Sequence, residues 1–136
     1  MSWNKNDLIS EREIQERVTD ASVRFAERFG DYLALKEENA DPLTTSQLRK
    51  FFGEVKRQQM TGYNETSFVM LKPKLAYAVG RAKNGKRKEA KIEDFFFVLS
   101  DAIDKVGNSQ DKQKAFKNFI TIFEAIVAYH KVAEKK

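Results

Sequence analysis

The chain has 136 residues, of which 41% are hydrophobic, and its 25 Lys and Arg against 20 Asp and Glu give a net charge of +5. That length and apolar content predict one folded domain with a substantial core, and the absence of cysteine excludes disulfides and thiolate metal sites. The first ten residues show no signal-peptide pattern and no run of about 18 apolar residues occurs, so we expect a soluble cytoplasmic protein.

The positive charge is concentrated in the middle of the chain. Residues 43–91 hold 12 Lys and Arg and 3 Asp and Glu, whereas residues 1–42 hold 6 and 10, and residues 92–136 hold 7 of each. A localised basic block is typical of a surface that binds a polyanion. The predicted single domain therefore has an acidic N-terminal part (1–42), a basic block (43–91) and C-terminal core helices (92–136).

A first helix is predicted over residues 10–29, where apolar residues recur at helical spacing. Ser10 is its expected N-cap, Glu13 completes a capping box, and Gly30 could end it. Trp3 precedes this helix and could pack either on the core or on a neighbouring molecule.

The second predicted helix, over residues 45–60, combines an apolar face with a basic one. Leu48, Phe51, Phe52 and Val55 recur at i, i+3, i+4 and i+7, which is the buried face. Gly53 lies in the same arc as the cations and could let another backbone come close. The basic face either is an ordinary solvated surface or binds an anion, and its cations are Arg49, Lys50, Lys56 and Arg57.

The third predicted helix either begins at Pro73 or is kinked there, because proline lacks the N–H that a helix interior uses. Lys74, Tyr77 and Arg81 form a polar stripe at i, i+3 and i+7. Two cations beside a tyrosine hydroxyl suit a sugar–phosphate chain. The alternative is a tyrosine at the edge of the core with solvated neighbours.

A basic loop is predicted over residues 83–88. Its Asn84-Gly85 pair marks a tight turn, no strands are predicted beside it, and we expect a mobile protrusion that carries Lys83 and Lys86. Such a loop either is merely solvated or contributes to binding.

Two further helices, over residues 92–106 and 111–132, complete a predicted compact all-α bundle of about five amphipathic helices. Phe96 and Phe123 are expected to be central core aromatics. His130, the single histidine, lies on the apolar stripe of the last helix, and we interpret it as a satisfied histidine at the edge of the core.

No residue pattern indicates catalysis. With one histidine and no cysteine, neither a Cys–His pair, a Ser–His–Asp triad nor a zinc site can be built. There is also no phosphate-binding loop and no dinucleotide fingerprint. We therefore expect a protein that is not an enzyme and that uses no cofactor and no metal.

Three stretches resemble a known family: LTTSQLRKF at 43–51, LKPKLAYAVGR at 71–81 and FEAIVAYHK at 123–131. In this order they are similar to the small subunit of type III-A CRISPR–Cas (Csm) effector complexes, which act in antiviral defence. The resemblance implies a non-catalytic helical protein whose copies stack beside the backbone subunits. Their basic face would line the channel that holds the duplex of crRNA and target RNA. RNA cleavage would belong to the backbone subunits.

The resemblance also implies which residues bind RNA. The basic positions of the family fall on Arg49, Lys50, Lys72, Lys74 and Arg81. Charge alone adds Lys56, Arg57, Lys83 and Lys86, and the polar stripe adds Tyr77.

Two other functions fit the same residues. One is a free-standing small helical nucleic-acid-binding or regulatory protein, although a DNA reader would place Asn, Gln or Arg on base edges, and the exposed faces here hold mostly Lys and Arg. The other is a helical adaptor whose basic face binds an acidic protein. The acidic residues 1–42 could themselves dock on the basic block of another copy, which would give head-to-tail stacking.

Overall fold

The computed structural model describes residues 3–85 and 88–135, and in these ranges it confirms the all-α fold class. No helix in the described part of the chain has the length and hydropathy that a membrane span requires. The helices and the two short strands follow in chain order as α1 (Glu11–Gln15), α2 (Asp20–Ala34), β1 (Ala40–Asp41), α3 (Thr45–Thr61), α4 (Glu65–Val69), α5 (Leu71–Lys83), β2 (Glu89–Ala90), α6 (Ile92–Gly107) and α7 (Lys112–Glu134).

The C-terminal helix α7 lies at the centre of the bundle, where it packs mainly against α2 and also contacts α1, α3 and α6. Phe123 of α7 is fully buried. Its ring centroid lies 5.8 Å from those of Phe51 in α3 and Phe95 in α6, and 6.0 Å from that of Phe119 in α7. These tilted and edge-on arrangements are the favoured geometries of aromatic pairs, so one aromatic cluster joins three helices.

The prediction of one helix over residues 10–29 is wrong at residues 16–19, where the chain leaves helical geometry between α1 and α2. Ser10 caps α1 as predicted, since its side chain accepts a hydrogen bond from the backbone N–H of Glu13. Thr19 then begins α2, and its backbone N–H donates to the Ser22 hydroxyl at 3.0 Å. The break is stabilised from outside, because the Asn118 side chain donates to the Ile14 carbonyl at 2.9 Å.

Trp3 packs on the core, which decides between the two options that its sequence context left open. Its ring centroid lies 4.8 Å from that of Phe29 and 4.9 Å from that of Tyr32, both in α2. The indole N–H donates to the Asp7 carbonyl at 2.9 Å. A buried indole therefore keeps its one donor satisfied.

The segment around Pro73 forms two helices, α4 and α5, which are separated only at Met70. Pro73 is the third residue of α5. The first four N–H groups of a helix have no partner within it, so proline loses no hydrogen bond at this position.

A short parallel ladder joins β1 to β2, with Ala40 opposite Glu89 and Asp41 opposite Ala90. The expectation that no strand lies beside the basic loop is therefore wrong. The tight turn is confirmed, since Asn84 and Gly85 have φ angles of 21° and 80°. Lys86 lies outside the described residues.

Lys91 fastens this ladder to α2. Its buried ammonium donates to the carbonyl oxygens of Tyr32 at 2.7 Å and Leu35 at 2.8 Å, and it lies 2.5 Å from the Glu37 carboxylate. A buried lysine charge is tolerated only when it is paired and hydrogen-bonded, and these contacts meet that requirement. The segment that leads into α3 is thereby held in place.

Two predictions about the core have different outcomes. The prediction that Phe96 is a central core aromatic is wrong, because Phe96 is only partly buried. Its neighbour Phe95 is buried in the core instead. His130 lies within the core, with 1% of its surface exposed, and not at the edge of the core as interpreted. Its side chain is satisfied as interpreted, since its Nε2 lies 2.7 Å from the Leu43 carbonyl oxygen. Because that oxygen can only accept, Nε2 carries the proton and donates it.

Candidate nucleic-acid interface

An open groove of about 680 Å³ runs between α3 and α5. It exists because the two helices rest on different neighbours, α3 on α7 and α5 on α6, and make few contacts with each other. Both helices turn part of their apolar faces towards it, and α6 and the segment before α3 close it from below. The floor is formed by Leu43, Phe51, Leu75, Ala78, Ala82, Ile92 and Phe95.

Cations stand on both rims of the groove. Lys50 lines it from α3, and Lys74 and Arg81 line it from α5. Lys50 and Arg81 are exposed, and neither forms an ion pair with a carboxylate of the described residues. Tyr77 stands on the same rim with 70% of its surface exposed, so the structure brings together the stripe of Lys74, Tyr77 and Arg81 that the sequence indicated.

Glu54 is the acidic group of the groove, and two cations neutralise it. The Lys74 ammonium lies 2.8 Å from one carboxylate oxygen, and the Arg57 guanidinium contacts the other. Hydrogen bonding from Lys74, followed by that from Arg57, holds the pKa of the Glu54 carboxyl below its usual value, although burial acts in the opposite direction. The groove, lined by Lys50, Lys74 and Arg81 with Glu54 as its acid, therefore keeps a positive balance at neutral pH.

A smaller pocket of about 300 Å³ continues the groove beyond Arg81. The two share Gln47, Arg81, Ala82 and Ile92. Asp41 lines the smaller pocket, and its carboxylate lies 3.1 Å from the Lys88 ammonium. Arg81 is thus the cation common to both cavities.

Three of the predicted site residues lie elsewhere and tie helices together. The ammonium groups of Lys56, Lys72 and Lys83 lie 2.8, 2.7 and 2.9 Å from carboxylate oxygens on α7 or α6. Their partners are, respectively, Glu124, Asp104 and Glu93. Each pair joins two helices across the surface, so these lysines already have carboxylate partners.

Arg49 and Gly53 do not line the groove. At about 100° per residue, Arg49, Gly53 and Lys56 share the flank of α3 that leads to α7, while Lys50 and Glu54 share the flank that faces α5. Arg49 and Lys56 therefore do not form the α3 side of this groove. A Cβ on Gly53 would meet nothing within 4 Å, so no backbone among the described residues uses the close approach that a glycine allows.

Sequence reasoning missed the apolar floor and two polar groups, Gln47 and Glu54. The floor residues were assigned to the core, as their helical spacing indicates, and nothing in the sequence shows that the two helices stay apart. Gln47 carried a signal, because it is three residues after the N-cap Thr44, and its side chain accepts from the Thr44 N–H at 2.8 Å. This capping interaction fixes Gln47 at the edge of the groove.

No metal-binding cluster occurs in the described part of the chain. No three His, Cys, Asp or Glu side chains there are placed to hold a metal ion. His130 does not line the groove, because its ring is buried and hydrogen-bonded to the Leu43 carbonyl oxygen. The groove therefore offers charge, apolar surface and a tyrosine, which are means of binding.

The comparison with protein families agrees with the resemblance of the three stretches. The family model described as Csm2 Type III-A matches residues 16–136. No curated protein and no solved structure matches the chain. The matched range contains the whole of α2 to α7, and with them both sides of the groove. The chain therefore belongs to the Csm2 Type III-A family, the small subunits of type III-A CRISPR effector complexes.

Proposed function

We propose that this protein is a non-catalytic RNA-binding subunit whose α3–α5 groove lines the channel for crRNA and target RNA in its effector complex. The observation that carries the proposal is the position of Lys50 and Arg81. They stand on opposite rims of one groove, both are exposed, and neither has a carboxylate partner among the described residues. Phosphates bind such cations without first breaking an ion pair.

The chemistry of the groove suits the RNA backbone. Lys and Arg bind phosphates as charged donors, and contacts of this kind fix position without reading sequence. Tyr77 adds a hydroxyl and an exposed ring between Lys74 and Arg81. A structural subunit that must accept RNA of any sequence needs this combination.

The absence of catalysis is part of the proposal. The single histidine is hydrogen-bonded to the Leu43 carbonyl oxygen, and no three His, Cys, Asp or Glu side chains of the described residues are placed to hold a metal ion. RNA cleavage would then fall to other subunits of the complex, in the cytoplasm. Copies of this chain could stack by placing the exposed acidic residues of α1 and α2 against the basic block of the next copy.

The test is a salt titration of RNA binding by Lys50→Ala, Arg81→Ala and the control Lys117→Ala. Each lost phosphate contact on single-stranded RNA is expected to lower the slope of log affinity against log salt by about 0.7. Lys50→Ala and Arg81→Ala should each lower this slope equally for two RNAs of unrelated sequence. Lys117 is exposed and outside the basic block, so its removal takes away the same charge and should leave the slope unchanged.

Two outcomes would contradict the proposal. An unchanged slope in both groove variants would mean that these cations do not contact phosphate. A loss confined to one of the two RNAs would instead favour a protein that reads sequence. Lys72→Ala, which removes an ion-paired lysine away from the groove, is expected to change the slope less than Arg81→Ala.

Glu54→Gln is expected to strengthen RNA binding about 2- to 3-fold at low salt. The substitution removes a negative charge from the groove, and a like-charge repulsion over ~7 Å in water is worth about 0.6 kcal/mol. Filter binding at two salt concentrations measures the effect, which should shrink as salt rises. Glu93→Gln is the matched control, because Glu93 also pairs with one lysine and also has a lowered pKa, but lies outside the groove. Equal gains from both variants would show that only net charge matters.

A further inference from the structure

We propose that the α3–α5 groove accepts an unpaired base of the bound strand, so that this interface favours unstacked nucleotides over a continuous duplex. The inference rests on the proposed RNA binding and concerns the same groove. It assigns a ligand to the apolar floor, which phosphate binding leaves unused.

The floor is preformed. Phe51, Leu75 and Phe95 belong to the hydrophobic core and are almost fully buried, so they keep their positions whether or not the groove is filled. A cavity of about 680 Å³ lies within the range of sites that take small organic ligands, and such sites combine apolar walls with a few polar groups. An aromatic base has the size and the apolar faces that this floor requires.

The rims place positive charge on both sides of that floor, with Lys50 on α3 and Lys74 and Arg81 on α5. A continuous duplex presents its phosphates and hides its bases, so it would leave the groove filled with water. A strand that crosses the groove with one base turned inward would place its neighbouring phosphates on the two rims. Charge on both flanks of an apolar cleft therefore favours a nucleotide strand.

Polar and aromatic groups for a base stand at the edge of the same groove. Tyr77 is largely exposed and Met70 is about half exposed, and aromatic side chains stack on bases of any sequence. The Gln47 amide oxygen is bonded to the Thr44 N–H, which leaves its NH₂ group as a donor at the groove. Glu54 adds an acceptor.

The experiment compares Ala78→Phe with Ala76→Phe in the full-length chain. Ala78 lines the groove, whereas Ala76 is exposed on another face of α5, so only the first added ring fills the cavity, and both variants keep every cation. The probes are a short single-stranded RNA, the same RNA in a blunt duplex, and the single strand with one 2-aminopurine. Ala78→Phe should weaken binding of the single strand about tenfold, as expected for the loss of one stacked base. Duplex binding and the salt slope should stay unchanged in Ala78→Phe. Ala76→Phe should likewise leave duplex binding and the salt slope unchanged.

Tyr77→Ala provides a second route that does not depend on tolerance of a bulky side chain, since Tyr77 is exposed. It should weaken single-strand binding, and Tyr77→Phe should restore it. The inference would be overturned if Ala78→Phe and Tyr77→Ala both bound the single strand as tightly as wild type and if the 2-aminopurine fluorescence did not change on binding. The inference would also be overturned if Ala78→Phe bound RNA normally but failed to join the effector complex. That result would favour a protein as the ligand of the groove. The proposed phosphate contacts would survive either result, because the salt slopes of the Lys50 and Arg81 variants test them separately.

Discussion

Phe123→Ala is expected to lower the free energy of unfolding by about 3–5 kcal/mol, as large-to-small substitutions of buried aromatics do. Phe123 is 1% exposed, and its ring meets those of Phe51, Phe52, Phe95 and Phe119. Three helices contribute these rings, so the cavity left by alanine cannot close by moving one side chain. Urea denaturation of the full-length chain, followed by circular dichroism at 222 nm, measures the change.

Phe97→Ala is the matched control, because it removes the same side chain from a position that is 49% exposed. Its expected cost is below about 1.5 kcal/mol, since only part of the ring leaves an apolar environment. Phe96→Ala should fall between the two, in keeping with its partial burial. A loss for Phe123→Ala no larger than that for Phe97→Ala would show that the aromatic cluster does not bear on stability as its burial indicates.

The elements that the sequence predicts well are those in which local signals agree. The helix predicted over residues 45–60 is α3, with Thr44 as its N-cap and Gln47 completing the capping box. The helices predicted over 92–106 and 111–132 are α6 and α7, with bounds that differ by one or two residues. In α3 and α7 an apolar period and a recognisable N-cap, Thr44 or Asp111, specify the same result. In α6 the apolar period alone predicts the helix, because its N-cap Lys91 makes no side-chain capping bond.

Errors arise where tertiary contacts override local rules. The break before α2 is held by Asn118, a residue about one hundred positions away, and no local pattern reports such a partner. Gly30 was expected to end a helix because glycine often does. It instead lies inside α2 and faces α7. Phe95 and Phe96 differ in burial because the neighbours of α6 decide how an apolar run is oriented.

The candidate site also has parts that the sequence predicts and parts that depend on tertiary contacts. The stripe of Lys74, Tyr77 and Arg81 follows from the period of one helix, and all three side chains are exposed. Helical periodicity does not show whether Arg49 or Lys50 lines the groove. These neighbours lie about 100° apart on α3, and only the position of α5 decides which of them meets the groove. Pairing of Lys56 and Lys72 with acids depends on α7 and α6, which lie outside the basic block.

Gly30→Leu is expected to destabilise the fold by about 3 kcal/mol, the upper part of the range for overpacked cores. A Cβ on Gly30 would lie 2.9 Å from the backbone N of His130, the backbone O of Ile126 and the Cβ of Tyr129. Two of these atoms belong to the backbone of α7, so α2 and α7 would have to move apart. Their separation would also strain the His130 hydrogen bond to Leu43. Denaturant titration of the purified chain measures the loss.

Gly53→Leu is the control, because it makes the same substitution in the interior of a helix where a Cβ meets nothing within 4 Å. Leucine has the higher helix propensity, so this variant should gain about 0.5–1 kcal/mol. The two substitutions are therefore expected to have opposite signs, although propensity alone would make both stabilising. A stabilised Gly30→Leu would show that α2 and α7 are not in contact at Gly30. A strongly destabilised Gly53→Leu would show that the outer face of α3 is covered within the chain. The difference between the two variants isolates the α2–α7 contact, since helix propensity contributes to both in the same direction.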